Sequence, residues 1–241
     1  EMDPKIGGAL AVAGLAVGAA IVATHETLKT SEKKEAGGIA TGVDDLVGGT
    51  PLVLLNKVSE GCVAQVAAKL EGRNPGNSVK DRIGLSMIVD AEKRGLLRPG
   101  MTIIEPTSGN TGVALAMIAA QKGYKCILVM PDSMSLERRV VFGALGAQCV
   151  LTPAAKGMNG ALLKAKKLLA ELGGWMPNQF ENPSNPEVHF QTTGPELWNG
   201  TNGRIDFLVS GVGTGGTITG CARYFRSVAG NKVKCCAVEP V

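Results

Sequence analysis

The chain has 241 residues and a formal charge of +4, with 44% hydrophobic, 19% charged and 4% aromatic residues. These proportions exclude a disordered chain, a multi-span membrane protein and a small disulfide scaffold, and the length suits one domain or two small lobes. The 33 glycines, about twice the average share of ~7% and without a triplet period, point to Gly-rich turns rather than collagen. Basic residues are interleaved with acidic ones, so nucleic acid is not implied. The six cysteines, Cys62, Cys126, Cys149, Cys221, Cys235 and Cys236, form no CxxC pair, and only His25 and His189 could accompany them. Free, mostly buried thiols in a reducing compartment are expected, and zinc is not.

In chain order, the first element is the uncharged run Ile6 to Ala23, which is 18 residues long. A hydrocarbon core of ~30 Å needs roughly 17 to 25 helical residues, so residues 1–24 read as a hydrophobic helix and candidate membrane anchor. Gly14 and Gly18 give it a small-xxx-small face. A targeting segment and a buried soluble helix are the alternatives; the run is long for the former and lacks the polar face of the latter. Lys29, Lys33 and Lys34 follow it against Lys5 before it, a bias that keeps the globular part on the cytoplasm-like side. Residues 25–47 are polar, Gly-containing and aperiodic, and read as a linker. A start at Glu instead of Met suggests processing or a missing start.

From Pro51 the chain alternates strand-like runs with helical patterns: PLVLLN, then CVAQVAAKLE, the turn RNPGN and the amphipathic stretch SVKDRIGLSMIVDAEKRG. MTIIEP, a Gly-rich turn and a helix through Ala120 come next, then CILVMP, a helix through Phe142, and QCVLTP. IDFLVS, a second Gly-rich turn, the helix TITGCARYFRSV and the strand VKCCAVEP complete the series. Helices between short β-branched runs predict an α/β fold with parallel sheet covered on both faces and ligands at the carboxyl ends of strands.

Three polar turns carry the chemistry. In NPGNSVKDR, Ser78 and Asp81 have the spacing of a capping box, which places Lys80 in the first helical turn. The helix dipole disfavours a cation there, and a lysine of lowered basicity suits condensation with an aldehyde cofactor; an ordinary solvated lysine is the bland alternative. In EPTSGNTG, Thr107, Ser108, Asn110 and Thr111 gather hydroxyls, an amide and backbone N–H groups at a helix start, a combination suited to a small carboxylate. In SGVGTGGTITG, Gly213, Gly215 and Gly216 allow close approach to an anion, with Thr214 and Thr217 adding hydroxyls: a phosphate cradle. Gly211, Gly213 and Gly216 also satisfy GxGxxG with Glu239 about 20 residues on, so a dinucleotide site is a rival that leaves Lys80 and the TSGNT turn unexplained.

Taken together and in this order, NPGNSVKDRIG, EPTSGNTG, MPDSMSLERR, QFENPSNPEVHFQTTGPELW and SGVGTGGTITG resemble the cysteine synthase (O-acetylserine sulfhydrylase) family of fold-type II pyridoxal phosphate enzymes, from about Gly48 to Pro240. The resemblance implies two lobes, a smaller one of residues 74–182 with the Schiff-base lysine and substrate loop, and a phosphate lobe of 48–73 and 183–241. It implies Lys80 as the Schiff-base lysine, Asn110 on the cofactor's phenolic oxygen, and Gly213, Thr214, Gly215, Gly216 and Thr217 around its phosphate. Thr107, Ser108, Thr111 and Gln179 would bind the substrate carboxylate. The family continues past its VEP segment, with further strands and the serine that meets the pyridine nitrogen, so a partial chain is expected here.

What the resemblance implies is β-replacement of O-acetylserine by sulfide, giving cysteine and acetate, in a homodimer that in plants and algae also engages serine acetyltransferase. The run Ile6 to Ala23 motivates a different reading: an accessory subunit of an organellar membrane complex, in chloroplast or mitochondrion, with the globular part on the stroma or matrix side and little or no catalysis.

Overall fold

A computed structural model describes residues 20–24 and 39–239. Along the chain come strands β1 (Ala20–Thr24), β2 (Leu52–Leu55) and β3 (Gln65–Lys69), helix α1 (Lys80–Lys93), β4 (Thr102–Pro106), α2 (Asn110–Lys122), β5 (Lys125–Pro131) and α3 (Leu136–Ala144). There follow β6 (Gln148–Thr152), α4 (Gly157–Leu172), α5 (Ser184–Val188), a π-helical turn His189–Thr193, α6 (Gly194–Gly200), β7 (Phe207–Gly211), α7 (Gly216–Ala229) and β8 (Lys234–Val238). The chain divides into two compact units, with Gly48–Val79 and 186–239 together with β1 in the first, and Ala40–Val47 with Lys80–Asn185 in the second.

The first unit is built on a five-stranded sheet of order β2-β3-β1-β7-β8. Only β7 and β8 are parallel, joined across α7; the β2–β3, β1–β3 and β1–β7 pairs are antiparallel. Ala67 and Leu208 face Leu197 of α6 and Cys221 and Phe225 of α7, while Val66 and Val209 meet Leu55 and Cys236 in a separate cluster. At the end of β3, buried Lys69 donates to the Thr50 carbonyl and hydroxyl and pairs with Glu196. With its donors satisfied, this cation is tolerable in an apolar interior.

The second unit is the parallel α/β half of the expectation, with strand order β4-β5-β6 and all pairs parallel. Parallel neighbours need crossovers, and α2 and α3 supply them. From Cys126 to Pro131 every residue of β5 is buried, the mark of a strand covered on both faces. One face sets Ile104, Ile127 and Val129 against Ala161 and Ala165 of α4. Alternation along the strands turns Ile103 and Glu105, with Cys126 and Leu128, to the other face. Segment 175–179 runs beside β4, since Ile104 N–H donates to Trp175 O at 2.9 Å and Trp175 N–H to Thr102 O at 2.9 Å.

Several sequence expectations need correction. CVAQVAAKLE, read as helical, contains β3: its Ala and Lys favour a helix locally, but pairing on both sides within a sheet overrides that preference. Of the helix expected over 1–24, Ala20–Thr24 is strand β1; Ile6 to Ala19 lie outside the described residues. Among the described residues no helix is long and apolar enough to cross a membrane. Within the linker expected over 25–47, residues 25–38 also lie outside the description. Val43–Leu46 form a short 3-10 helix held to the second unit by Asp44 N–H on Gln121 Oε1, 3.1 Å. Helix α4 was absent from the expected order. Helix α1 opens at Lys80, so Ser78 stands two residues ahead of its first residue.

Gly84 controls how closely α1 and α2 pack. A Cβ there would lie 2.7 Å from Ala114 Cβ and 3.2 Å from its carbonyl carbon. Gly84→Ala is therefore expected to force the two helices apart and destabilise the chain by about 1 to 3 kcal/mol. Urea unfolding measures this, and an unshifted midpoint would contradict the packing.

Candidate active site

The second unit brings most of the predicted positions into one neighbourhood. Lys80 is the first residue of α1, and Asn110 the first of α2. Each stands four residues before the Gly84–Ala114 contact. At 1.5 Å per residue, both helix starts lie within ~6 Å, measured along their axes, of the point where the helices touch. Lys80 is half-buried, and burial pulls its amine below the usual lysine range. The sequence assigned that lowering to the helix dipole; in the structure its leading cause is desolvation.

The start of α2 is open to an anion. Gly109 caps it in extended conformation without a side-chain bond, and its first turn carries no acidic residue. Thr107 and Thr111 are buried, whereas Ser108 and Asn110 are half-buried. Thr107 donates its N–H to Val129 O and accepts the Gly109 N–H on its hydroxyl. The Thr111 hydroxyl donates to Gln179 Oε1 at 2.7 Å, across 68 residues of sequence. With Oε1 taken, the Gln179 amide end is the donor it can present. Asn110 Oδ1 accepts from Arg138 Nη1 at 2.9 Å, so the donor end of this amide also faces elsewhere. Gly112 is needed for packing: a Cβ there would come within 2.6 Å of Phe142 Cζ.

The phosphate candidates lie in the first unit. Helix α7 follows Gly215, whose φ of +78° suits glycine, and has neither a side-chain cap nor an acid in its first turn. A Cβ on Gly211 or Gly213 would meet nothing within 4 Å. Thr214 Oγ1 accepts from Gly216 N–H at 3.4 Å, and Thr217 Oγ1 lies 3.3 Å from His189 Nε2. The buried His189 is held from its other nitrogen by Thr193, at 2.9 Å. Gly220 lets α7 approach this region, because a Cβ there would sit 2.2 Å from Pro186 O. In the first unit, uncapped N–H groups, hydroxyls and open space above two glycines fit a phosphate ester; in the second, a desolvated lysine fits an aldehyde.

Glu105, Arg138 and His189 escaped the sequence reading. Only Glu105 left a signal, being the one charged residue of strand TIIEP and at an inward position. It is 1% exposed and has no ion-pair partner among the described residues. Burial raises its pKa to about 7, opposed by the N–H groups of Asn178 and Gln179 that it accepts at 2.9 and 3.3 Å. Burial likewise pushes the neighbouring Cys126 thiol up to about 12, keeping it neutral. Among the described residues no group of His, Cys, Asp and Glu is arranged to hold a metal ion.

Residues 43–241 match the family described as pyridoxal-phosphate dependent enzyme, and the chain belongs to that family. It is 53% identical over 197 residues to cysteine synthase A of Salmonella typhi, covering 80% of this chain and 60% of that one. The cysteine synthase of Staphylococcus aureus is 51% identical over 199 residues, covering 82% and 64%. The crystal structure of the cysteine synthase of Entamoeba histolytica superposes with a TM-score of 0.79 at 40% identity, over 89% of this chain and 64% of that one. The resemblance read from the motifs is thus confirmed, with pyridoxal phosphate as the family's cofactor and the dinucleotide reading set aside. The chain spans about 60% of the length of the first of these relatives.

Glu105 gives stability a pH dependence of predictable sign. Unfolded, its carboxyl titrates near 4.5; folded, near 7. Between those values the folded chain binds more protons, so this group's contribution to stability falls as pH rises, by on the order of 2 to 4 kcal/mol in full. Relative to Glu105→Gln, the wild type is expected to lose unfolding free energy from pH 5 to pH 7.5. Parallel stability curves would refute the assignment.

Proposed function

We propose that the chain is the core of a pyridoxal phosphate-dependent cysteine synthase, replacing the acetoxy group of O-acetylserine with sulfide to yield cysteine and acetate. One observation carries this reading. The desolvated Lys80 amine and the uncapped, hydroxyl-lined start of α2 are fixed by a single helix contact. The relatives named cysteine synthase support it.

Pyridoxal phosphate, when bound, supplies an aldehyde for an amine and an electron-withdrawing ring that stabilises negative charge at the substrate α-carbon. Gly213, Thr214, Gly215, Gly216 and Thr217 would hold its phosphate, with His189 orienting the Thr217 hydroxyl. Asn110, its amide oriented by Arg138, would meet the phenolic oxygen. Thr107, Ser108, Thr111 and Gln179 would bind the substrate carboxylate with neutral donors. Neutral donors fix its position without adding a cation that would compete for it. Burial raises the neutral fraction of Lys80, whose Nζ takes the proton from the substrate α-carbon. Loss of acetate and addition of sulfide at the β-carbon complete the exchange.

Borohydride reduction of the cofactor-loaded protein followed by peptide mass spectrometry is expected to find a pyridoxyl group on Lys80. Lys80→Ala should abolish that label and lower kcat/KM by at least ~10² to 10⁴-fold. A label on another lysine would reject the role. Gly213→Val, which meets no protein atom at its Cβ, is expected to leave the apo-protein Tm unchanged while weakening pyridoxal phosphate binding at least tenfold. Unaltered binding in a titration would remove Gly213 from the cradle.

A further inference from the structure

The carboxylate of Glu105 has no part in the chemistry proposed above, yet it is one of the most deeply buried charged groups of the second unit. It leaves strand β4 toward the segment that carries Gln179, and its two oxygens serve two consecutive backbone donors: Oε2 takes Asn178 N–H at 2.9 Å and Oε1 takes Gln179 N–H at 3.3 Å. Asn178 sits at φ +51°, in the left-handed region that asparagine enters more readily than other side-chain-bearing residues, and so turns the chain there. The Gln179 carbonyl is fixed in turn by Asn185 Nδ2 at 2.8 Å. Its side-chain oxygen is fixed by Thr111 at 2.7 Å. The backbone donor, backbone acceptor and side chain of this one glutamine are therefore each held by a different element.

We propose that Glu105 is a positioning residue: its carboxylate clamps the Asn178–Gln179 backbone so that the Gln179 amide is aimed at the substrate carboxylate. This rests on the reading of Gln179 as a carboxylate binder given under the proposed function. The ionised form serves both N–H groups. Protonation leaves one oxygen as an O–H donor facing an N–H donor, so one of the two bonds is lost. From β5 and β6, Cys126 and Cys149 share this face of the sheet, and burial raises both thiols and keeps them neutral. Helix α2 carries no ionisable side chain before Lys122. Helix α4 packs on the opposite face, through Ala161 and Ala165 against Ile104. On the clamped segment itself, the exposed Glu181 is engaged by Asn178 Nδ2 at 2.7 Å.

The clamp is tested in two ways on the full chain. Hydrogen exchange, corrected for intrinsic rates, is expected to show protection of the Asn178 and Gln179 amides that falls as pH drops from 8 to 5.5, without the need for any variant. In the cofactor-loaded protein, the KM for O-acetylserine is expected to rise several-fold over the same range at nearly constant kcat. Glu105→Gln should show a raised KM that no longer varies with pH in this way. Protection of both amides that is indifferent to pH overturns the clamp, as does turnover with a KM unaffected by Glu105→Gln. Protection that follows pH supports it even if O-acetylserine is not turned over, an outcome that would count against the functional reading alone.

Discussion

The closeness of two helices at Gly84 and Ala114 is the constraint on which the second unit's chemistry depends. No side chain larger than hydrogen fits at position 84 without displacing the backbone opposite, and the contact lies one turn from the start of each helix. A helix start is where backbone N–H groups have no partners within the helix and where the dipole favours negative charge. Two such starts meet near one point, one headed by Lys80 and the other by the TSGNT turn. Gly112 repeats the device one layer out, where Phe142 occupies the space its side chain would need.

Desolvation then acts in opposite directions on two groups of that unit. It lowers the basicity of Lys80, which favours the neutral amine that a condensing and proton-accepting group requires. It raises the pKa of Glu105 to about 7, where ordinary changes of pH alter its charge. The carboxylate is tolerated in an apolar setting because two backbone donors meet it, and those donors belong to the segment that carries Gln179. A buried polar group that is fully bonded can specify one local conformation where an apolar side chain would permit several.

The first unit has an uncapped helix start of its own. Helix α7 follows Gly215, which sits at positive φ, has no acid in its first turn, and is brought close to the π-helical turn by Gly220. His189, held by Thr193, reaches the Thr217 hydroxyl at the mouth of α7. Lys69 and Glu196 show that this unit also buries a cation, and it does so with donors fully engaged.

Much of this was legible in the order of residues. The three turns NPGNSVKDR, EPTSGNTG and SGVGTGGTITG were readable as polar turns leading into helices, because the backbone groups of a helix start depend on few neighbours and their chemistry is local. The alternation of strands and helices from MTIIEP to QCVLTP was legible for the same reason. What sequence alone could not decide was everything set by partners far along the chain. CVAQVAAKLE has the composition of a helix and becomes a strand because it is paired on both sides. The run ending at Ala23 reads as a helix, yet Ala20–Thr24 pairs with β3 and β7. Glu105 reads as a turn boundary until a segment more than 70 residues later lays two N–H groups on it, and its shifted titration arises from burial, a property that exists only once the chain has folded around it.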